Sequence, residues 1–402
     1  MKLYIFNPDT DMALASREEN YMAPALIRCM AEDMAAFPVW YATDSSLVLA
    51  PSAYNIDFLK QMQTLFPLDV QMVTEVELPE YAHVQPVPWG WNMALCRRLF
   101  KGGIFAGRLP SSGWLEAYRQ WASRRNAVDV LQSLVSSDGI KDCQGSSLWL
   151  TDIEACHNAA LAMNGHCVFK APWSGSGKGL LWCRDGFAFS ARKWCERVLR
   201  EQQGIVAEPI YIKVLDFAME FYSSGQGEVA FRGYSLFETN SRGAYQRNLL
   251  LPASAIEDRI AGFVSLLTLI RVRERLQEKL CQLYGSVYEG FLGVDMMVCR
   301  DMQGSFFVHP CVEINLRMNM GVVSLIFFER FMHPSSTGYF SVSYYASNEE
   351  LQREHASDQR MHPLVVSNGR LVSGYLPLVP VTPRSRYRAY VVAATPSSAP
   401  AE

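Results

Sequence analysis

The amino-acid sequence predicts a mixed fold, α/β in its N-terminal part and α+β in the parts that follow. Three observations lead to this prediction. Short apolar strands alternate with helical stretches through residues 1–110, which is the pattern of a parallel sheet with crossover helices. Polar motifs on extended segments precede and follow a long amphipathic stretch within residues 111–330. Residues 331–393 read as mostly β-strand, with Asn368-Gly369 as a hairpin turn.

These observations divide the chain into five segments. They are an α/β domain (residues 1–110), two segments with the polar motifs (111–205 and 206–330), a β-rich extension (331–393) and a disordered tail (394–402). We expect one helix over about residues 114–134. The apolar residues of 253–284 step by three and four, which predicts a second, long helix.

The composition excludes several classes of function. A chain of 402 residues is long enough for two or three domains, and 49% hydrophobic with 19% charged residues is ordinary for a globular protein. The net charge of -3, without a basic run, argues against a nucleic-acid partner. Apolar runs such as residues 321–328 stop short of the roughly 18 residues that a membrane span needs, so we expect a cytoplasmic protein. The ten cysteines form no C-x-x-C pair, which indicates reduced packing residues rather than disulfides or zinc ligands.

The first chemical motif is a glycine-rich loop after an apolar strand. The strand, from residue 167, delivers Lys170, and the loop then carries small residues and a second lysine: Ser174, Gly175, Ser176, Gly177, Lys178 and Gly179. Glycines let backbone N–H groups surround an anion, and lysine adds charge, which suits nucleotide phosphates. The loop is not a Walker A motif, because Pro172 and Gly179 stand where that motif needs glycine and a hydroxyl residue. Residues 180–183 read as a strand, which favours a hairpin loop; a plain surface hairpin is the alternative.

The second motif is a strand with acidic and amide side chains. Residues 307–317 alternate with period two, so Glu313, Asn315 and Arg317 face one side. The apolar side, facing the core, consists of Val308, Val312, Ile314 and Leu316. The strand before it carries Asp295, and a turn at residues 301–304 predicts that the two strands pair. Such hard oxygen ligands suit Mg²⁺, and Arg317 suits charge that develops on a transferred phosphoryl group. The alternative is a solvated polar face, and we expect His309 to be a packing residue.

The segment between the motifs carries further candidates. One apolar strand ends at Glu208, and another begins near Asp216. Arg232 and Arg247 follow in polar surroundings, where they can contact a substrate carboxylate or serve as ordinary surface charges.

Taken in order, these motifs resemble the ATP-grasp superfamily of carboxylate–amine or thiol ligases, over roughly residues 125–330. The order is a lysine-ending strand, a glycine-rich hairpin loop, a strand ending at a glutamate, a long helix, the Gly-Val-Asp strand and the Glu-x-Asn-x-Arg strand. The resemblance implies an N-terminal Rossmann-like pre-ATP-grasp domain, followed by a two-lobed ATP-grasp fold with a β-rich C-terminal extension.

The resemblance also assigns roles. Lys170 would contact the α- and β-phosphates, and the loop of Ser174, Gly175, Ser176, Gly177 and Lys178 would close over the β- and γ-phosphates. The adenine would meet Glu208, Pro209 and Ile210, and the ribose Asp216, with Glu220 left open as the alternative. The magnesium ligands would be Asp295, Glu313 and Asn315. The catalytic residues we expect are Arg317, Lys178 and Arg247, with Arg317 facing the acyl-phosphate intermediate.

The implied function is an ATP- and Mg²⁺-dependent ligase that forms a carbon–nitrogen bond and releases ADP. A substrate carboxylate attacks the γ-phosphate, and an amine or thiol then displaces phosphate from the acyl phosphate. Two metal ions are compatible with such a site, and Mn²⁺ can substitute. The expected partners are small-molecule carboxylate and amine substrates and, for oligomerisation, a second copy in a homodimer. Two alternatives stay open: a phosphotransferase that stops after the first step, and a nucleotide-binding protein without turnover.

Overall fold

A computed structural model describes residues 1–136, 140–175, 179–241 and 243–395. The strands are β1 Lys2–Ile5, β2 Ser46–Leu49, β3 Val70–Val73, β4 Gln85–Pro88, β5 Leu148–Leu150, β6 Cys167–Lys170, β7 Leu180–Cys183, β8 Ile205–Pro209, β9 Ile212–Ser224, β10 Val229–Thr239, β11 Tyr245–Leu250, β12 Glu289–Arg300, β13 Phe306–Asn315, β14 Thr337–Tyr344, β15 Val365–Ser367, β16 Arg370–Pro377 and β17 Tyr387–Ala394.

The α-helices are α1 Thr10–Ser16, α2 Ala25–Asp33, α3 Ala53–Gln63, α4 Met93–Lys101, α5 Ser112–Trp121, α6 Arg124–Val135, α7 Ile153–Ala162, α8 Phe189–Gln202, α9 Ala253–Ala261, α10 Leu266–Tyr284, α11 Met320–Phe331 and α12 Asn348–Met361. Short 3₁₀ helices cover Phe37–Trp40, Glu75–Tyr81 and Ala106–Arg108.

The N-terminal sheet is parallel, with strand order β3-β2-β1-β4. The predicted α/β pattern with a parallel sheet is confirmed. From β1 the chain adds β2 and β3 on one side and β4 on the other, so the strand order reverses beside β1. In open α/β sheets ligands bind outside the carboxyl ends of the strands at such a reversal. The segment that leaves β1 toward α1 lies at this position.

A small antiparallel sheet of order β5-β8-β6-β7 follows. Strands β6 and β7 pair antiparallel, with Cys167 opposite Cys183 and Lys170 opposite Leu180. The predicted hairpin around the glycine-rich loop is therefore confirmed. Helices α7 and α8 pack against this sheet through a core that includes four buried cysteines, namely Cys156, Cys167, Cys183 and Cys195.

A nine-stranded sheet of order β13-β12-β9-β10-β11-β14-β17-β16-β15 forms the rest of the framework. Helices α9 and α10 pack on one face, and α11 packs on the other. The strands of residues 331–393 continue this sheet, because β14 pairs with β11. The same segment also contains α12. It therefore extends an existing sheet rather than building its own, which gives the edge of β11 a partner.

Both long helices that the sequence predicted are broken in two. Residues 114–134 are shared by α5 and α6, and Ser123 starts α6 as a cap that accepts a hydrogen bond from the Arg125 N–H. Residues 253–284 are shared by α9 and α10, and Ser265 caps α10 in the same way. The apolar spacing continues through both breaks, so the spacing alone did not reveal the serine caps.

The cysteine side chains lie mostly in the core. All ten cysteines are free, and eight of them are buried. Within the described ranges, no helix combines the length and apolar character needed to cross a membrane.

Candidate active site

Strands β12 and β13 form what we call the carboxylate hairpin. Asp295 lies opposite Glu313, and Gly293 lies opposite Asn315. The Asn315 side-chain amide donates to Asp295 Oδ2 at 3.1 Å, so its carbonyl oxygen stays available as a ligand. The sequence correctly predicted that these strands pair and that Asp295 lies beside Glu313.

The alternation along β13 was predicted less accurately. Asp295 and Met297 are two residues apart in β12, but their partners Glu313 and His309 are four apart in β13. The extra residues form a bulge, so Cys311 enters the apolar core in place of Val312. His309 is fully buried, and its pKa is lowered to about 4 by burial, which agrees with the expected packing role.

Negative charge accumulates in the carboxylate hairpin. Burial, followed by the charges of Glu313 and Glu220, holds the pKa of Asp295 well above its usual value. A divalent cation between Asp295 and Glu313 would relieve this repulsion. In the described ranges, no three His, Cys, Asp or Glu side chains form a metal cluster. The donor set of two carboxylates and one amide fits Mg²⁺, which keeps waters and shares substrate phosphates.

Arg124 joins the carboxylate hairpin to the glycine-rich loop. Its Nη2 donates to Glu313 Oε1 at 2.7 Å and to the Ser174 carbonyl at 2.9 Å. Its Nη1 donates to the Ala171 carbonyl at 2.7 Å and to Ser174 Oγ at 2.6 Å. Arg124 was not identified from the sequence. Residues 114–134 were predicted as one helix, and Arg124 lies in a first turn only because the helix breaks at Ser123.

Arg317 lies beyond the strand in which it was predicted. Strand β13 ends at Asn315, so Arg317 is not part of a continuous row of strand side chains. Its Nε and Nη2 instead donate to both carboxylate oxygens of Asp11, at 3.1 and 2.8 Å. Burial alone would raise the pKa of Asp11, but the charge and hydrogen bonds of Arg317 outweigh it and lower that pKa.

Asp11 lies in the first turn of α1, which follows β1 at the reversal of the parallel sheet. It was not identified from the sequence, because nothing in the local pattern links residue 11 to residue 317. A small cavity nevertheless brings Asp11 and Arg317 together with Ser174, Glu313 and Asn315.

Strands β6 and β7, with the loop between them, form what we call the lysine hairpin. Lys170 is buried, and its Nζ donates to Glu208 Oε2 at 2.6 Å. It also approaches the Val312 carbonyl of β13 at 3.5 Å. A side chain at Gly175 would come within 2.8 Å of Asp11 Oδ2, so the start of the loop packs directly on the Asp11–Arg317 pair. Ser176, Gly177 and Lys178 lie outside the described residues.

The predicted adenine and ribose residues lie along β8 and β9. Glu208 faces Lys170 across the small sheet, Pro209 ends β8, and the Ile210 N–H donates to the His166 carbonyl at 3.2 Å. Asp216 lies on β9, where Thr239 donates to it at 2.7 Å and Lys213 forms an ion pair with it.

Glu220 is enclosed rather than accessible. Ser235 and Asn319 both donate to its carboxylate at 2.9 Å, and burial, opposed by these bonds, raises its pKa to about 7. A side chain at Gly321 would come within 2.0 Å of Glu220 Oε1, which shows how closely α11 covers it.

Arg247 lies on β11, and it does not line the small cavity described above. It makes a two-bond ion pair with Glu238, at 2.7 and 3.1 Å, and its side chain is 41% exposed. Its predicted contact with a substrate carboxylate is therefore independent of the two hairpins, and it stays a prediction.

The sequence matches no protein-family model and no curated protein. Its structure is similar to several solved structures. An N5-carboxyaminoimidazole ribonucleotide synthetase in complex with ADP has 10% identity and a TM-score of 0.49, over 98% of this chain and 92% of that one. The biotin carboxylase of Campylobacter jejuni has 14% identity and a TM-score of 0.49, over 98% and 87%. The synthetase of Thermus thermophilus has 12% identity and a TM-score of 0.46, over 98% and 93%.

Proposed function

We propose that this protein is an ATP-grasp-type ligase that uses Mg-ATP to activate a carboxylate as an acyl phosphate and joins it to an amine or thiol. One observation carries the proposal: two hairpins from different sheets meet face to face. One presents a buried lysine and a glycine-rich loop, and the other presents paired carboxylates. Lys170 Nζ lies 3.5 Å from the Val312 carbonyl, next to Glu313, so the phosphate-binding and metal-binding groups adjoin.

In this proposal Lys170 and the loop of Ser174, Gly175, Ser176, Gly177 and Lys178 bind the phosphates. The ribose meets Asp216 rather than Glu220, because Glu220 is enclosed by α11 and its two hydrogen-bond donors. Glu208, Pro209 and Ile210 border the adenine.

Asp295, Glu313 and Asn315 would hold Mg²⁺, which would neutralise phosphate charge. A second ion and substitution by Mn²⁺ belong to the same proposal. The protein's own contribution is to position the carboxylate in line with the γ-phosphate and to exclude water from the acyl phosphate. Arg317 would stabilise the charge that develops there, and Asp11 orients its guanidinium through two hydrogen bonds.

The test is a coupled ADP-release assay over a matrix of carboxylates and amines or thiols, with amino acids and dipeptides in both roles. We expect Mg²⁺-dependent ADP release only in wells that contain both substrates, and none with Glu313→Gln. ADP release with the carboxylate alone and a stable phosphorylated product would instead identify a phosphotransferase. Tight ATP binding without release across the matrix would indicate a binding protein without turnover.

A further inference from the structure

A second cavity lies between helices α3 and α12, with β16 and the segment after it as its third wall. Its volume is about 530 Å³, and it shares no lining residue with the small cavity between the two hairpins. Small molecules bind in clefts of about 300–1,000 Å³, often where separate parts of a protein meet. Because α3 belongs to the N-terminal part of the chain and α12 to the C-terminal extension, this cavity has the size and the position of a ligand site.

Both helices line the cavity with polar side chains at helical spacing. Helix α12 contributes His355, Gln359 and His362, which are four and three residues apart, and α3 contributes Asp57 and Gln61, four residues apart. Four of these five side chains, all but that of His355, form no hydrogen bond or ion pair with the rest of the described chain. Their donors and acceptors are therefore available to a ligand.

Much of the remaining lining is apolar or aromatic. Phe58 of α3 and Leu376 of β16 belong to the core that the cavity borders, and Tyr54 and Tyr375 add two aromatic rings. No lysine or arginine is among the described residues that line the cavity, whereas Asp57 supplies a carboxylate. The lining thus suits a planar, largely apolar ring system without negative charge, because an anion would find no cation here.

Hydrogen bonds hold His355 in one tautomer at the wall of the cavity. Arg388 is buried and paired with Asp358 at 2.7 Å, and its Nη1 donates to the Tyr375 hydroxyl at 3.3 Å. Since the described residues offer that hydroxyl no other acceptor, it donates its own proton to His355 Nδ1, which lies 2.9 Å away. Burial, and then the charge of Arg388, lower the pKa of His355, so the ring is neutral near neutral pH. A neutral ring that accepts at Nδ1 carries its proton on Nε2, so the wall presents a fixed N–H donor.

We propose that this cavity is a second ligand site, which binds an uncharged heteroaromatic amine of the adenosine type. The His355 N–H suits a ring nitrogen of such a ligand, and the Asp57 carboxylate suits its exocyclic amine. The amides of Gln61 and Gln359 each offer a donor beside an acceptor, the pattern that matches the amino edge of an adenine ring. This site is independent of the proposed Mg-ATP chemistry, since it uses none of the residues of the two hairpins.

The experiment is a calorimetric titration of the full chain with adenosine, in the presence of a saturating non-hydrolysable ATP analogue that occupies the proposed nucleotide site. We expect adenosine to bind to one site per chain. Adenosine monophosphate should bind at least about tenfold more weakly, because its phosphate brings negative charge to a cavity that holds a carboxylate and no cation. Equal or tighter binding of the monophosphate would overturn the assigned ligand class, and no binding of adenosine would overturn the site.

A matched pair of variants locates the bound adenosine. Gln359→Ala should weaken adenosine binding about tenfold, close to the contribution of one hydrogen bond. Arg360→Ala is the control, because this exposed neighbour on α12 does not line the cavity and should leave the affinity unchanged. Both substitutions are at exposed positions, so both variants should fold as the wild type does. If the two variants bind adenosine equally well, adenosine binds elsewhere and the proposal is wrong.

The tautomer of His355 is tested separately, by the ¹⁵N chemical shifts of its ring in the wild-type protein without ligand. We expect a neutral ring with the proton on Nε2, and we expect the Nε2 resonance to shift when adenosine is added. A proton on Nδ1, or a ring whose resonances do not respond to bound adenosine, would contradict the role of His355 as the donor of this site.

Discussion

The lysine hairpin and the carboxylate hairpin face each other but are built differently. In the carboxylate hairpin, Asp295 and Glu313 are direct partners in one antiparallel pair, and Asn315 follows two residues later. In the lysine hairpin the polar partners come from elsewhere in the chain. Glu208 of β8 pairs with Lys170, and Arg124 of α6 holds Ser174.

This difference shows in which hairpin the buried charges already have partners of opposite charge. Lys170 already has a buried carboxylate partner at 2.6 Å. Asp295 has like charges beside it, and its pKa is raised by burial and then by Glu313 and Glu220. Glu313 is already paired with Arg124, so in the proposed function it is Asp295 that calls for an external cation, whereas the lysine hairpin exchanges an internal anion for phosphate. The predictions below separate these two requirements.

The largest effect is expected in the carboxylate hairpin. Asp295→Asn and Glu313→Gln should each lower Mg²⁺-dependent ADP formation at least about a hundredfold, because metal-held charge stabilisation is lost. Both variants should unfold cooperatively on heating. Glu289→Gln is the control, since this exposed glutamate of β12 lies outside the site and should keep full activity. Normal turnover in both site variants would sink the ligase proposal.

The lysine hairpin is expected to respond in stability as well as binding. Lys170→Met should weaken nucleotide binding about tenfold, and it should destabilise the fold by about 3–5 kcal/mol because Glu208, only 3% exposed, loses its counter-charge. The double variant Lys170→Met/Glu208→Gln should recover most of the stability without recovering affinity. Calorimetric titration and chemical denaturation measure the two quantities. Lys193→Met, at an exposed lysine of α8, is the control. Equal recovery of affinity and stability would mean that Lys170 has a structural role alone.

The Asp11–Arg317 pair gives a prediction for pH dependence. The pKa of Asp11 is lowered in the folded protein, so the carboxylate contributes stability above its unfolded pKa of about 3.8, and that contribution is lost as pH falls through the folded pKa. Asp11→Asn should cost about 1.5–3 kcal/mol near pH 7, the contribution of hydrogen bonds to a charged group. Its stability should also fall less steeply than that of the wild type below about pH 4. Parallel acid-denaturation curves for the two proteins would contradict this account of the pair.

The smallest effect is expected at Arg247, outside both hairpins. Its exposed pair with Glu238 should contribute less than about 1 kcal/mol to stability. If Arg247 contacts the substrate carboxylate as predicted, Arg247→Ala should raise KM for that substrate about tenfold, the worth of one charge-assisted hydrogen bond, with kcat little changed. Steady-state kinetics decide this, and an unchanged KM would remove Arg247 from the site.

The two hairpins also show which features of the site could be predicted from the sequence. The pairing of β12 with β13 followed from period-two alternation and a nearby turn, because both act over a few residues. The bulge could not be predicted from the alternation, since it depends on how residues 310–312 pack. It places Cys311, rather than the predicted Val312, in the core. Likewise the hairpin around the loop followed from Lys170, Gly179 and the strand after it.

The long-range partners could not be predicted in this way. Arg124 and Glu313 are separated by 189 residues, and Asp11 and Arg317 by 306. Contacts at such separations depend on how three sheets pack together, which no local pattern contains. Strand alternation alone does not explain the position of the Arg317 side chain that it predicted. Strand β13 ends before Arg317, and hydrogen bonds to Asp11 fix the direction of the guanidinium.

The most direct test of the central claim is a calorimetric titration with a non-hydrolysable ATP analogue, with and without Mg²⁺. We predict that Mg²⁺ raises the affinity of the wild type at least about tenfold. Lys170→Met should weaken binding under both conditions, whereas Glu313→Gln should remove only the part that depends on Mg²⁺. No binding of the analogue, or an affinity that neither Mg²⁺ nor these substitutions change, would contradict the claim that the two hairpins together form a Mg-ATP site.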